Sequence, residues 1–310
     1  MKKSFAAVLA VLAAFSMTAC GGSSSAPATT AAATTAAAAE TKAEETKAEE
    51  TKAEETKAEE TKAEETKAEE TKAEEAKAEG GTFIVGFDQD FPPMGFVGND
   101  GQFTGFDLDL AKEAAARMGK EVVYQPIAWD SKDAELDAGT IDCIWNGFTI
   151  NGREENYTWS DPYMTNDQVF VVAKDSGIAS AKGLAGKVVE VQVDSSAQAA
   201  LNDLPELTGT FSALQTTPDY NTAIMDLQSG AVDAIAMDST VAGYKITTGN
   251  LDLVVLPDSF AAETYGIGFK KGNTELADQV NAVMKEMAAD GTLEKISNEW
   301  FGMDVTIIGK

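Results

Sequence analysis

Ten residues of this 310-residue chain have the side-chain or backbone chemistry to hold a small polar ligand: Asp88, Phe91, Trp129, Asn146, Gly147, Thr149, Arg153, Ser195, Ser196 and Asp238. An arginine grips a carboxylate through two parallel hydrogen bonds, a geometry that lysine cannot copy. The chain has only two arginines, Arg117 and Arg153. Arg117 falls on the polar side of a helical pattern, where a solvated role suits it, whereas Arg153 sits in an Asn-Gly-Arg turn. The Ser195 and Ser196 hydroxyls and backbone N–H groups suit the same carboxylate, and Asp238 can accept the protons of an ammonium. Phe91 and Trp129 can wall a side chain. Each residue also has a plainer role open to it: Ser195 and Ser196 as helix caps, Asp238 as a cap after its strand, Trp129 as core. It is the combination that points to a zwitterion.

Secondary-structure patterning places these residues together. Residues 82–87 read as a buried strand, 106–118 as a helix stopped by Gly119, 121–125 as a strand, 131–138 as a helix stopped by Gly139, and 141–145 as a strand. The alternation resumes with a strand at 187–193 running into a helix opened by Asp194-Ser-Ser, a helix at 219–229 stopped by Gly230, and a strand at 232–237. Strands alternating with helices imply βαβ units and a mostly parallel sheet. Residues 136–144 (Leu-Asp-Ala-Gly-Thr-Ile-Asp-Cys-Ile) and 227–235 (Leu-Gln-Ser-Gly-Ala-Val-Asp-Ala-Ile) repeat Leu, Gly, Asp and Ile at one offset, which suggests two lobes of similar design. Ligands in open α/β sheets sit beyond the carboxyl ends of the strands, where this reading puts Asp88, Asp90 and Phe91, residues 146–149, residues 194–196, and Asp238.

Composition excludes several function classes. Asp and Glu outnumber Lys and Arg 51 to 24, and so acidic a surface repels phosphate backbones, so no nucleic acid is expected. There is no histidine, which removes Ser-His-Asp chemistry and His-ligated zinc, and the two cysteines, Cys20 and Cys143, cannot build a metal site. No cofactor or metal is expected. Cys143 lies in an apolar strand and reads as buried packing.

The first 80 residues stand apart. Lys2 and Lys3 precede an apolar run of about 11 residues, too short for a spanning helix of roughly 20. Met17-Thr-Ala-Cys20-Gly follows, a cysteine after small residues that resembles a lipobox. The expectation is a lipoprotein signal peptide over 1–20, with Cys20 lipidated and the mature chain held on the outer face of the membrane; an ordinary signal peptide is the alternative. In residues 21–80, Thr-Lys-Ala-Glu-Glu recurs seven times from Thr41. A period of five builds no apolar stripe on a helix, so the segment reads as a tether. Sixty flexible residues would reach roughly 40 Å.

From residue 81 on, the chain resembles the extracellular solute-binding proteins that serve ABC importers of polar amino acids. The resemblance rests on Val85-Gly-Phe-Asp-Gln-Asp-Phe-Pro-Pro-Met, Gly101-Gln-Phe-Thr-Gly-Phe-Asp-Leu-Asp-Leu-Ala, Gly147-Phe-Thr-Ile-Asn-Gly-Arg153, Trp159-Ser-Asp-Pro-Tyr, Tyr265-Gly-Ile-Gly-Phe-Lys, Asp290-Gly-Thr-Leu-Glu-Lys-Ile and Trp300-Phe-Gly. It implies an α/β type II periplasmic-binding-protein fold, with two lobes joined by crossing strands near 169–173 and 265–269. Lobe 1 would be 81–172 plus 266–310, and lobe 2 173–265. It further implies Thr149 and Arg153 on a carboxylate, Ser195 and Ser196 facing them from the second lobe, Asp238 on the ammonium, and Asp88 and Phe91 in a first loop touching the ammonium or side chain. The expected partners are a free polar amino acid and an ABC permease with its ATPase, the protein acting as a monomer whose lobes close over the ligand. Two departures stand out: the threonine–arginine spacing is one residue short of the usual, and Asp194 stands where glycine is typical. A dehydratase-like enzyme of the same fold, or delivery to a separate sensor, is the alternative. Acids favour a cationic side chain and Asn146 or Gln192 an amide, and the sequence leaves that choice open.

Overall fold

A computed structural model of the chain describes residues 81–310; the expectations for the signal peptide, Cys20 and the tether lie outside the described residues. In chain order, β1 (Thr82–Phe87) is followed by β2 (Asp90–Phe91), β3 (Gly95–Val97) and β4 (Phe103–Thr104), which form a small antiparallel sheet. Then come α1 (Phe106–Arg117), β5 (Glu121–Pro126), α2 (Lys132–Ala138), β6 (Cys143–Thr149), β7 (Thr158–Trp159) and β8 (Met164–Ala173). The second half of the fold has β9 (Val188–Gln192), α3 (Ser196–Asn202), α4 (Pro205–Thr208), β10 (Ala213–Thr217), α5 (Tyr220–Ser229), β11 (Ala234–Asp238), α6 (Ser239–Gly249) and β12 (Leu253–Val255). The chain returns through β13 (Ala261–Phe269) to α7 (Thr274–Ala289) and α8 (Thr292–Phe301).

The main sheet runs β10-β9-β11-β8-β13-β6-β1-β5, with β12 beside β8 and β7 beside β13. At each end three strands are parallel: β5, β1 and β6 in one lobe, β10, β9 and β11 in the other. Between them β8 and β13 run antiparallel and carry the chain across, giving the expected α/β periplasmic-binding-protein fold.

The crossing differs in register from the sequence expectation. β8 and β13 pair with each other over 164–168 and 261–265. Residues 169–173 instead pair within one lobe with β11 and β12, and 265–269 pair within the other with β6 and β7. Hydropathy marks the stretches covered on both faces, and those are the halves inside each lobe; the shared stretch of β8 alternates buried and exposed. β6 likewise starts later than 141 and ends later than 145. All seven of its residues are buried, and Thr149 pairs with Tyr265. Asn146 to Thr149 therefore lie inside the strand rather than beyond it.

The internal repeat has one structural job done twice. Gly139 and Gly230 end α2 and α5 in left-handed backbone, φ 75° and 77°, where glycine lacks the Cβ clash. Asp142 then accepts from the Ile84 N–H at 2.7 Å while its own N–H donates to Ile84 O. Asp233 makes the same reciprocal pair with Val188, accepting at 2.8 Å. In each lobe a helix is thus stopped and its next strand hooked onto the central parallel strand. Arg117 bonds Glu113, Asp290 and Thr292 and so ties α1 to the start of α8. Cys143 is buried within β6, and burial pushes its thiol up. Among the described residues no helix is long and apolar enough to cross a membrane.

Candidate ligand-binding site

Both lobes contribute to one narrow pocket between them, lined by Phe91, Trp129, Gly147, Thr149 and Arg153 from the first and by Gln192, Ser195, Ser196 and Asp238 from the second. Eight of the ten sequence-derived residues therefore meet around it. Asp88 and Asn146 stand just outside the lining. Asn146 is buried behind the loop after β1, its Oδ1 accepting from the Asp88 N–H at 3.1 Å. Asp88 lines an adjoining pocket at the mouth with Asp90, Asp219 and Trp129, so Trp129 borders both spaces.

Arg153 follows a turn closed by its N–H on Ile150 O, and the turn is tied to β13 where the Thr264 N–H donates to Asn151 Oδ1 at 2.8 Å. Its guanidinium donates to Thr149 O at 3.4 Å and across the cleft to Asp194 O at 3.2 Å, with the Phe148 ring 5.3 Å away. Gly147 has φ 56°, and a Cβ there would stand 2.9 Å from the Phe91 ring and 3.2 Å from that of Tyr265. Only glycine both takes this backbone and leaves that space. Behind it, Asp107 of α1 is fully buried and accepts from the Gly147 N–H at 2.6 Å and from the Tyr163 hydroxyl at 2.8 Å. Burial pushes Asp107 up to about 7; the Gly147 amide and the Tyr163 hydroxyl pull it partly back.

Ser195 caps α3, its hydroxyl accepting from the Gln198 N–H, and Ser196 accepts from Gln168 at 3.1 Å. Asp238 ends β11 at the N-cap position of α6, with no capping bond from its side chain. Its Oδ1 accepts from Asn166 and Gln168, both at 2.9 Å, and from the Tyr265 hydroxyl at 2.6 Å. Its Oδ2 accepts from the Tyr220 hydroxyl. The same two amides also donate to Glu263 at 2.8 Å. Strand register produces this cluster: Asp238 pairs with Gln168, and Glu263 with Asn166. Burial, then the charge of Glu263, hold Asp238 well above the usual carboxylate range. Among the described residues no Lys or Arg forms an ion pair with Asp238, so a positive group entering the cavity would meet an acid set up to receive it.

At the mouth, burial pushes Asp88 up to about 6, with the Asp90 amide and Gln192 pulling it back. Asp90 is raised by burial and then by Asp219, while burial lowers Lys245 to about 8 against the pull of these acids. Interlobe contacts close the cleft. Gln192 donates to Asp88 at 2.7 Å, Asn221 to Asp90 at 2.5 Å, and Phe91 packs on Tyr220 with ring centroids 5.9 Å apart.

Sequence reasoning did not single out Asn166, Gln168, Glu263, Tyr265, Lys132 or Asp107 as site residues. The polar run Thr165-Asn-Asp-Gln168 at the start of an otherwise apolar strand was the available signal.

Comparison with known proteins agrees with this architecture. The family described as bacterial extracellular solute-binding proteins, family 3, matches residues 83–303. The L-cystine-binding protein TcyJ of Escherichia coli (strain K12) is 35% identical over 73% of this chain and 85% of its own length. The arginine-binding extracellular protein ArtP of Bacillus subtilis (strain 168) is 34% identical over 70% and 85%. The histidine-bound structure of an ABC uptake transporter substrate-binding protein from Streptococcus pneumoniae is 37% identical, with a TM-score of 0.70 over 73% of this chain and 94% of that one. All three are named as binding proteins. By fold, by the arrangement of its cleft and by this match across most of its length, the chain belongs to the bacterial extracellular solute-binding proteins of family 3.

Proposed function

We propose that the protein is an extracytoplasmic receptor, anchored through lipidated Cys20, that captures a free polar amino acid and passes it to an ABC permease and its ATPase. The observation that carries this reading is that Arg153 and Asp238 line one pocket from opposite lobes. A guanidinium on one wall and a buried acid on the other suit the two ends of an α-amino acid. Thr149, Ser195 and Ser196 add donors beside Arg153, Gly147 lends backbone, and Phe91 and Trp129 enclose apolar atoms. The relatives named for cystine, arginine and histidine support the same ligand class. The ligand side chain would leave past Trp129 toward Asp88, Asp90 and Asp219, which favours a positive charge at its far end, a guanidinium or the second ammonium of a disulfide-linked amino acid.

A thermal-shift panel of the full chain with the twenty amino acids and cystine tests this. A ligand at 100 times its dissociation constant stabilises by ~2.7 kcal/mol, so a true ligand should raise the melting temperature by several degrees, and its carboxyl amide should not. A panel with no shift would overturn the reading. The anchor is tested separately: labelled fatty acid should be incorporated by the wild-type chain and not by Cys20→Ala.

A further inference from the structure

Two non-glycine residues among those described have left-handed backbone, Asn250 and Asp194. Asn250 ends a helix, where asparagine in that conformation is ordinary. Asp194, φ 57°, has no such reason: it opens the turn into Ser195 and Ser196, and its carboxylate stands next to hydroxyls assigned above to an anion. A glycine there would be relaxed and uncharged.

The explanation lies across the cleft. Lys132 of α2, in the opposite lobe, is 1% exposed. Its ammonium donates to Asp194 Oδ2, to Asp194 O at 3.5 Å and to Trp129 O at 3.3 Å, and lies 5.2 Å from the centre of the Trp129 ring. These three acceptors match the three donors of an ammonium. Arg153 reaches the same Asp194 carbonyl, and the Asp194 N–H is held by Gln198 Oε1 at 2.7 Å. Both flanking lobe-1 groups, Trp129 and Arg153, line the cavity. A buried lysine needs a partner to stay charged, and here that partner belongs to the other lobe.

We propose that Lys132 and Asp194 are positioning residues forming an interlobe latch, which seats the Asp194–Ser196 turn over the bound ligand. The proposal rests on the amino-acid reading above and adds to it an ionic pair beside the other interlobe contacts. Lys132 has a second effect: it neutralises Asp194, which otherwise would repel the ligand carboxylate. The two substitutions therefore differ in kind. Asp194→Asn removes the ionic part of the latch and leaves the Lys132 ammonium on the carbonyls of Trp129 and Asp194. Lys132→Gln removes the latch and leaves an uncompensated acid beside the carboxylate subsite.

The test is a double-mutant cycle on the full chain, with L-arginine, L-histidine and L-cystine as probes and dissociation rates measured at low and high salt. Asp194→Asn should speed dissociation roughly 3- to 10-fold with little change in association, the size expected of a partly exposed pair. Lys132→Gln should weaken binding about 30-fold or more, and adding Asp194→Asn to it should restore affinity to that of Asp194→Asn alone. A purely structural role for Lys132 inside its own lobe would not be rescued from the other lobe, so additive losses overturn the proposal. Should Lys132→Gln fail to fold, Asp194→Asn and Asp194→Gly carry the test: wild-type dissociation rates with unchanged salt dependence overturn it. If the wild-type chain binds none of these probes and none of the twenty amino acids, the amino-acid reading fails, and the latch is read by hydrogen exchange at residues 194–198. Faster exchange in Asp194→Asn supports the latch, and unchanged exchange overturns it.

Discussion

Gln192, at the end of β9 in the second lobe, donates through Nε2 to Asp88 Oδ2 at 2.7 Å, at the end of β1 in the first. Both side chains are buried, and Gln192 also holds Pro218 O at 3.0 Å. The central strand of each lobe therefore ends in a side chain that touches the other across the cleft.

That contact exists only while the lobes are closed, so its removal should appear as lost affinity rather than as lost folding. A hydrogen bond to an ionised group contributes ~1.5–3 kcal/mol. Gln192→Leu is expected to weaken ligand binding ~10- to ~100-fold, with the melting temperature of the free chain changed by less than the ligand-induced shift. Calorimetric titration beside thermal melting checks both halves.

Arg153 faces the cavity with Thr149, Ser195 and Ser196 around it. Truncating one partner of a buried charge pair costs ~2–5 kcal/mol, so Arg153→Ala should bind ~30- to several-thousand-fold more weakly. Arg153→Lys, which keeps the charge and loses the fork, should fall between. Titration calorimetry reads this, and an affinity for Arg153→Ala within threefold of wild type would remove Arg153 from the carboxylate site.

Gly147 offers a steric test. A Cβ at that position meets the Phe91 ring at 2.9 Å and the Tyr265 ring at 3.2 Å, on backbone of φ 56°. Overpacking typically costs ~1–3 kcal/mol. Gly147→Ala should destabilise the fold by that order, read as a lower denaturant midpoint, and weaken binding, since the Phe91 ring that lines the pocket must shift.

Asp107 provides a pH signature. Burial raises its pKa from 3.8 to about 7, so between those values the folded chain holds a proton that the unfolded chain has released. The stability linked to this group is full below pH 3.8 and is lost as pH rises toward about 7, by up to ~4 kcal/mol. Asp107→Asn cannot titrate and should flatten the slope of stability between about pH 4 and about pH 7. Denaturant midpoints across that range decide it. An unchanged slope would mean that Asp107 is ionised throughout.

Much of this was legible in sequence because it is local. Gly139 and Gly230 stop their helices for reasons of backbone conformation alone, and the repeat around them predicted two lobes that the sheet then displayed. The aromatic, glycine and hydroxyl residues now lining the cavity were also readable, since strand ends of a parallel α/β pattern collect at one edge. The placement of the crossing was not. Apolar runs at 169–173 and 265–269 drew it toward the halves of the strands that lie inside the lobes, whereas the stretch shared by β8 and β13 alternates in burial.

The sequence by itself determined the βαβ alternation, the two-lobe design and most of the residues around the cleft, because periodicity, turn chemistry and strand-end position are properties of neighbouring residues, and its motifs carried the resemblance that implied the fold. Only the tertiary structure decided what those residues face. Glu263 meets Asp238 through amides of Asn166 and Gln168 because of a register between strands nearly a hundred residues apart. Asp107 supports Gly147 from behind, and Lys132 meets Asp194 from the opposite lobe. Each is a pairing between groups distant along the chain, and such pairings are set by packing, to which no local pattern in the sequence refers.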